Sequence, residues 1–177
     1  MNKNQIINKD FQTVLSQIQN AKQKAFSSVN TILIELYWEI GKYISTKTTQ
    51  ENWGKSVVKE LATFLKEKDP TIKGFSDKNL WRMKQFFFFF FQNEKLSTLS
   101  RQLSWSNNVA IFSRSQSIEE MEFYTILAIK NNYSYRELDK QISSSTFERT
   151  MIADKKLSSV LKELPQNVSG VFKDSYI

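Results

Sequence analysis

Four polar residues close together in the chain are of the types that contact DNA. Lys78, Arg82 and Gln85 are spaced i, i+4 and i+7, and Asn79 lies beside Lys78. Residues at this spacing share one face of an α-helix. Lysine and arginine bind phosphates, while arginine, asparagine and glutamine also bond base edges. The pattern predicts a DNA-contacting helix, although a solvated helix face would carry the same residue types.

The segments around these residues predict a helix-turn-helix arrangement. Apolar periodicity predicts a helix over about 53–68, which Pro70 ends because the residue before proline avoids the α region. Residues 71–75 form the turn, and Ser76 is a good N-cap, with Asp77 favourably placed in the first turn. The fold class that we predict is mostly α, a helical domain containing a helix-turn-helix or winged-helix-like unit.

Basic charge is concentrated on this part of the chain. The net charge is +7, and residues 53–95 hold nine Lys/Arg against five Asp/Glu, whereas residues 96–148 hold five against six. Such a balance suits nucleic acid, and it also suits simple solubility. We expect Lys55, Lys59 and Lys73 to lie near phosphates, and DNA to be the partner.

The composition removes most catalytic chemistry. The chain has no cysteine and no histidine, which excludes a thiolate nucleophile, a zinc–thiolate site and a serine–histidine triad. The acidic pairs, such as Glu35 with Glu39, do not resemble metal sites, and no glycine-rich phosphate loop is present. We therefore predict a protein that is not an enzyme, with no catalytic residue, metal or small-molecule cofactor.

The termini and the apolar runs bear on location. Residues 1–5 lack the apolar core of a signal peptide, and no apolar run approaches the roughly 20 residues that cross a bilayer. We expect a cytoplasmic protein without membrane association.

The remaining pattern is helical. Residues 6–46 predict one long helix or two joined ones, in which Gly41 permits close helix packing, and residues 45–52 predict a loop. Residues 104–112 suit a short helix or a strand. Beyond residue 150 the periodicity fades into a possible short helix near 155–163 and a linker or tail. We expect a shared core from these residues: Trp38, Trp53, Leu80, Met83, Phe87 and Trp105.

Three further local signals stand out. Six consecutive phenylalanines, Phe86 to Phe91, must point in every direction around a helix, which suggests a tolerated expanded tract, a buried helix or a contact with a partner. Ser117 and Ser134 each precede a glutamate by three residues, the spacing of a capping box. Asn131-Asn132 is a predicted left-handed helix stop.

Five ordered blocks resemble the YhcG-type N-terminal domain family and span about residues 10–150. The blocks are Tyr37-Trp38-Glu39-Ile40-Gly41, Trp53-Gly54-Lys55-Ser56-Val57-Val58, Gly74-Phe75-Ser76 with Asn79-Leu80 and Met83, Leu103-Ser104-Trp105-Ser106-Asn107-Asn108, and Glu122-Phe123-Tyr124 through Asn131, Tyr133-Ser134 and Gln141-Ile142.

The resemblance implies a helix-turn-helix-like domain that usually precedes a PD-(D/E)XK nuclease domain. On this basis we expect residues 1–150 to be the N-terminal helical domain and residues 151–177 to be a linker or tail. The chain would then be the first half of a two-domain protein that lacks the nuclease half, as a truncated gene product, a split protein or a fragment. The alternative is a protein-interaction or dimerisation module that docks a second copy, a separate nuclease domain or a restriction–modification partner.

Overall fold

The computed structural model describes residues 3–51 and 53–153, and this part of the chain is helical with no β-strand. The mostly α fold class is therefore confirmed. A helical stretch over 146–153 follows the last of the labelled helices. The helices are α1 (Lys3–Gln50), α2 (Lys55–Lys68), α3 (Asp77–Phe90), α4 (Glu94–Ser100), α5 (Trp105–Arg114), α6 (Ile118–Lys130) and α7 (Tyr135–Ser143).

The first helix is continuous over 48 residues, so the loop predicted at 45–52 was wrong. The threonines that suggested a loop bond back to the preceding turn instead, since Thr46 Oγ1 donates to the carbonyl of Lys42 at 3.0 Å and Thr49 Oγ1 to that of Ser45 at 2.9 Å. An ion pair between Lys47 and Glu51, four residues apart, also stabilises the end of this helix.

The central contact of the fold is the crossing of α1 and α3 at Gly41. A Cβ atom at Gly41 would overlap the carbonyl group of Met83 and press on Cβ of Phe87. Beside the crossing, the Trp38 ring meets the rings of Phe86 and Phe87 edge-on, with centroids 5.8 and 5.0 Å apart. The predicted role of Gly41 in close helix packing is confirmed.

All seven labelled helices contribute to the core, including α2 through Val58 and α4 through Leu96. Leu80 and Met83 are fully buried as predicted, while Trp38 and Trp105 are half-buried against the core. Phe87, which was predicted to point inward, is half-buried against the Trp38 ring but lies outside the core cluster. The prediction for Trp53 was wrong, because its half-buried ring meets Tyr43 edge-on, outside the core cluster. The fully buried members of the phenylalanine tract are Phe86 and Phe90, one turn apart, whereas Phe88 and Phe91 are 63% and 58% exposed.

Side-chain caps define the later helices. The segment for which the sequence suited either a short helix or a strand is the helix α5. Helix α4, capped by Asn93, was not predicted. The capping box of Ser134 and Glu137 is confirmed, but Glu120 bonds the backbone of Gln116 rather than completing the box at Ser117. Asn132 is left-handed (φ 50°), as predicted for the end of α6.

The predicted helix near 155–163 and the tail from 165 lie outside the described residues.

We expect Gly41→Ala to lower the free energy of unfolding by about 1–3 kcal/mol, because the added methyl group must push two helix backbones apart. The matched control is Gly54→Ala, where an added Cβ meets no atom within 4 Å. The control should cost at most about 1 kcal/mol, since alanine is a poorer N-cap. Urea unfolding followed by circular dichroism measures both, and equal losses would contradict the close crossing.

Candidate nucleic-acid interface

An eight-residue connection, 69–76, joins α2 to α3 and is held by local hydrogen bonds. The Asp69 carboxylate accepts from the hydroxyl of Thr71 at 2.6 Å and from its backbone N–H at 2.9 Å. These bonds lower the pKa of Asp69 below its ordinary value. Gly74 has φ 91°, a conformation that side chains disfavour, and Ser76 then caps α3 by accepting from the backbone N–H of Asn79 at 3.3 Å. The connection therefore sets where α3 begins.

A pH dependence follows from Asp69. Because its pKa is lowered in the folded protein, the stability that it contributes is present above its ordinary pKa of 3.8 and is lost as the pH falls through the lowered value. We expect Asp69→Ala to melt at a lower temperature than wild type at pH 7, and the gap to close at acid pH. Thermal melts at several pH values measure this. Glu67→Ala, at an exposed carboxylate of α2, is the control, and a gap that is independent of pH would contradict the role of Asp69.

The outward face of α3 carries three of the predicted contact residues. Lys78 and Gln85 are exposed and Arg82 is half-buried. These three residues repeat at i, i+4 and i+7, on the side away from the buried positions of the same helix, which are Leu80, Met83, Phe86 and Phe90. The face therefore offers two cationic groups and an amide to solvent.

Asn79 is placed differently from its three neighbours, because its half-buried amide is used inside the domain. Its Nδ2 donates to the carbonyl of Gly74, and its Oδ1 accepts from the indole Nε1 of Trp105 at 2.9 Å. The Trp105 ring in turn meets Tyr37 of α1 edge-on at 4.7 Å. Asn79 thus links the connection and α3 to α5 and, through Trp105, to α1.

Loss of the Asn79 amide should cost stability. We expect Asn79→Ala to lower the free energy of unfolding by about 1–3 kcal/mol, because the indole N–H and the Gly74 carbonyl lose their partner. Gln85→Ala removes an exposed amide from the same helix and should stay within about 0.5 kcal/mol of wild type. Chemical denaturation measures both variants. Equal effects would show that the Asn79 amide is not a structural tie.

The predicted phosphate-binding lysines line two adjoining grooves beside the first turn of α3. Lys59 and Lys73 line a groove of about 440 Å³ between α2 and the connection. Lys55 and Lys59 line a second groove with Asp77 and Trp81 of α3. Asp77 contributes to both grooves and offsets part of their positive charge.

Two further cations belong to this surface and were missed in the sequence. Lys66 lines the larger groove, and its position seven residues after Lys59 places both on one face of α2. Lys84 lies over the Trp81 ring, with its Nζ 5.1 Å from the ring centroid. The seven-residue spacing could have indicated Lys66, whereas the position of Lys84 depends on the packing of Trp81.

Within residues 3–51 and 53–153, no three His, Cys, Asp or Glu side chains cluster in a way that could hold a metal ion. A membrane-spanning helix, which must be both long and apolar, is also not found there.

Comparison with known proteins adds two matches. The family model described as DUF1016 N-terminal domain matches residues 13–149. A relative from Escherichia coli (strain K12) is described as "Putative nuclease YhcG". It is 23% identical over an alignment of 190 residues, and the alignment covers 86% of this chain and 48% of that protein. The chain therefore spans about half the length of this curated relative. No solved structure matches the chain.

Proposed function

This chain belongs to the DUF1016 N-terminal domain family, the YhcG-type N-terminal domain, and on that premise we propose that it is a DNA-binding domain of the helix-turn-helix kind. In the proposal, α3 is the helix that reads DNA and α2 is the helix that lies across the phosphate backbone. The connection is longer than the three or four residues of the most compact motif. The unit is therefore helix-turn-helix-like, and no strand in the described residues supplies a wing.

One observation carries the proposal, which is the continuity of the basic surface from α2 to α3. The two grooves share Lys59 and Asp77, so lysines of α2 lie next to the first turn of α3, where the Lys78 face begins. Cations on two adjoining helices can contact successive phosphates while a third group reaches a base edge. If the polar face of α3 were only a solvated helix face, it would not need neighbouring lysines on α2.

Each predicted residue takes a distinct part in this proposal. Arg82 and Gln85 reach base edges, and Lys78 binds a phosphate or a base at the rim of the groove. Lys55, Lys59 and Lys73 contact phosphates, joined by Lys66. Asn79 does not touch DNA here, because its amide holds α3 in place.

The wider role rests on the relative described as a nuclease. We propose that this domain positions DNA for a nuclease domain, that the nuclease domain lies outside residues 1–177, and that the protein acts in the cytoplasm. The domain itself would need no metal and no cofactor.

The test is fluorescence anisotropy of a labelled DNA duplex titrated with the full chain. Affinity should fall steeply between about 50 and 200 mM salt, because phosphate contacts release counterions. Arg82→Ala should weaken binding by about 1–3 kcal/mol, and Lys59→Ala should reduce the salt slope by about 1.

The matched control is Arg136→Ala, which removes the same charge from an exposed position on α7. Its affinity should stay close to that of wild type if binding is local to α2 and α3. Folding of each variant is checked by circular dichroism. Equal losses for Arg82→Ala and Arg136→Ala would indicate binding through net charge alone, and no binding by folded protein at low salt would overturn the proposal.

A further inference from the structure

Helix α1 carries a second apolar face that the domain does not cover. Its buried residues, including Ile34, Gly41 and Ile44, lie against the rest of the domain, whereas every residue from Asp10 to Val29 is exposed. Most of the stability of a helix in a protein comes from packing of its amphipathic face, so such a long projecting helix calls for a partner.

The exposed residues follow a heptad repeat along most of α1. Positions at alternating spacings of four and three form one stripe, and all ten of them are exposed. Eight of the ten are apolar, which is the pattern of a coiled-coil seam. The stripe consists of Phe11, Leu15, Ile18, Lys22, Ala25, Val29, Ile32, Leu36, Glu39 and Tyr43.

The two charged residues of the stripe indicate that a second copy of α1 covers it and that the two helices run antiparallel. If two copies of α1 pair antiparallel about a two-fold axis between residues 30 and 31, Lys22 of each copy faces Glu39 of the other. In the same register Val29 faces Ile32, Ala25 faces Leu36 and Ile18 faces Tyr43. Every apolar position of the seam from 18 to 43 then meets an apolar one, and the only two charges meet their opposites.

Other arrangements of two helices lose this complementarity. A parallel pair places Lys22 against Lys22 and Glu39 against Glu39, and like charges face to face are costly. Sliding the antiparallel pair by one heptad places Lys22 opposite Ile32 and Glu39 opposite Leu15, which buries charge against apolar groups. A single polar core position commonly sets the register of a coiled coil in this way.

A groove beside the seam extends the same surface. Glu39 and Tyr43 line an apolar groove of about 600 Å³ between α1 and α2, together with Leu61 and Leu65 of α2. In the antiparallel register, Ile18 of the second copy lies against Tyr43 at this groove, and the preceding turn of that helix, at Leu15, runs past Thr46, another lining residue.

We propose that two copies of this chain form an antiparallel coiled coil through α1, with Lys22 of each copy paired to Glu39 of the other. The paired seam from residue 18 to residue 43 spans about 38 Å, since each residue of a helix rises about 1.5 Å. It shares no residue with the proposed DNA contacts, so the two proposals stand or fall separately.

The first test is the mass of the full chain by analytical ultracentrifugation. Wild type should sediment as a dimer, and Ile18→Asp as a monomer, because it places a charge in the seam. Asn20→Asp adds the same group on another exposed face of α1 and should remain dimeric. Circular dichroism confirms folding of each variant. A wild-type monomer, or equal behaviour of the two variants, would overturn the proposal.

Exchange of the two charges tests the register. Lys22→Glu and Glu39→Lys should each weaken dimerisation about tenfold or more, since each places like charges together. The double variant should return to within about threefold of wild type. A double variant as weak as the single ones would rule out the Lys22–Glu39 pair.

Cross-linking tests the direction of the helices, and it is clean because the chain has no cysteine of its own. Lys22→Cys combined with Glu39→Cys should give a disulfide-linked dimer. Lys22→Cys alone should not, since the two copies of residue 22 would lie about 25 Å apart. Efficient cross-linking by the single variant would show a parallel pair and overturn the antiparallel proposal.

Discussion

The close approach of two helix backbones at Gly41 is the constraint on which the rest of the structure depends. Because no side chain separates α1 from the carbonyl of Met83, α3 lies directly on the long helix. The aromatic rings of Trp38, Phe86 and Trp105 fill the space on either side of this contact. The position of α3 along α1 is therefore fixed, and so is the direction in which the Lys78–Gln85 face points.

The molecule uses separate faces for separate purposes. Short polar ties, from Asp69 to Thr71 and from Asn79 to Trp105, hold the connection and α3 without taking up the outward cations. The heptad stripe lies on a different helix, α1, at positions that are all exposed. A two-fold pair through α1 would present the α3 face twice, which is how dimeric DNA-binding proteins read two half-sites.

Periodicity and caps in the sequence were enough to predict α1, α2, α3, α6 and α7, because apolar spacing and serine caps are local signals. The loop proposed at 45–52 failed because threonine hydroxyls can support a helix by bonding to the previous turn, which composition alone does not reveal. Helix α4 is short and has little periodicity. Which face of the phenylalanine tract is buried could not be predicted from six identical residues, and the internal role of Asn79 depends on Trp105, which is 26 residues away.

The phenylalanine tract also makes this part of the core tolerant of changes in length. Only Phe86 and Phe90, at the start and near the end of the run, are fully buried. Deletion of one phenylalanine, or insertion of another, would still leave phenylalanine at both buried positions, since the neighbours that move into place are identical. The change in length would shift the residues that follow, starting with Phe91 and Gln92, which already form a turn. A repeat that varies by one residue would thus change the loop before α4 and leave the packing against α1 filled.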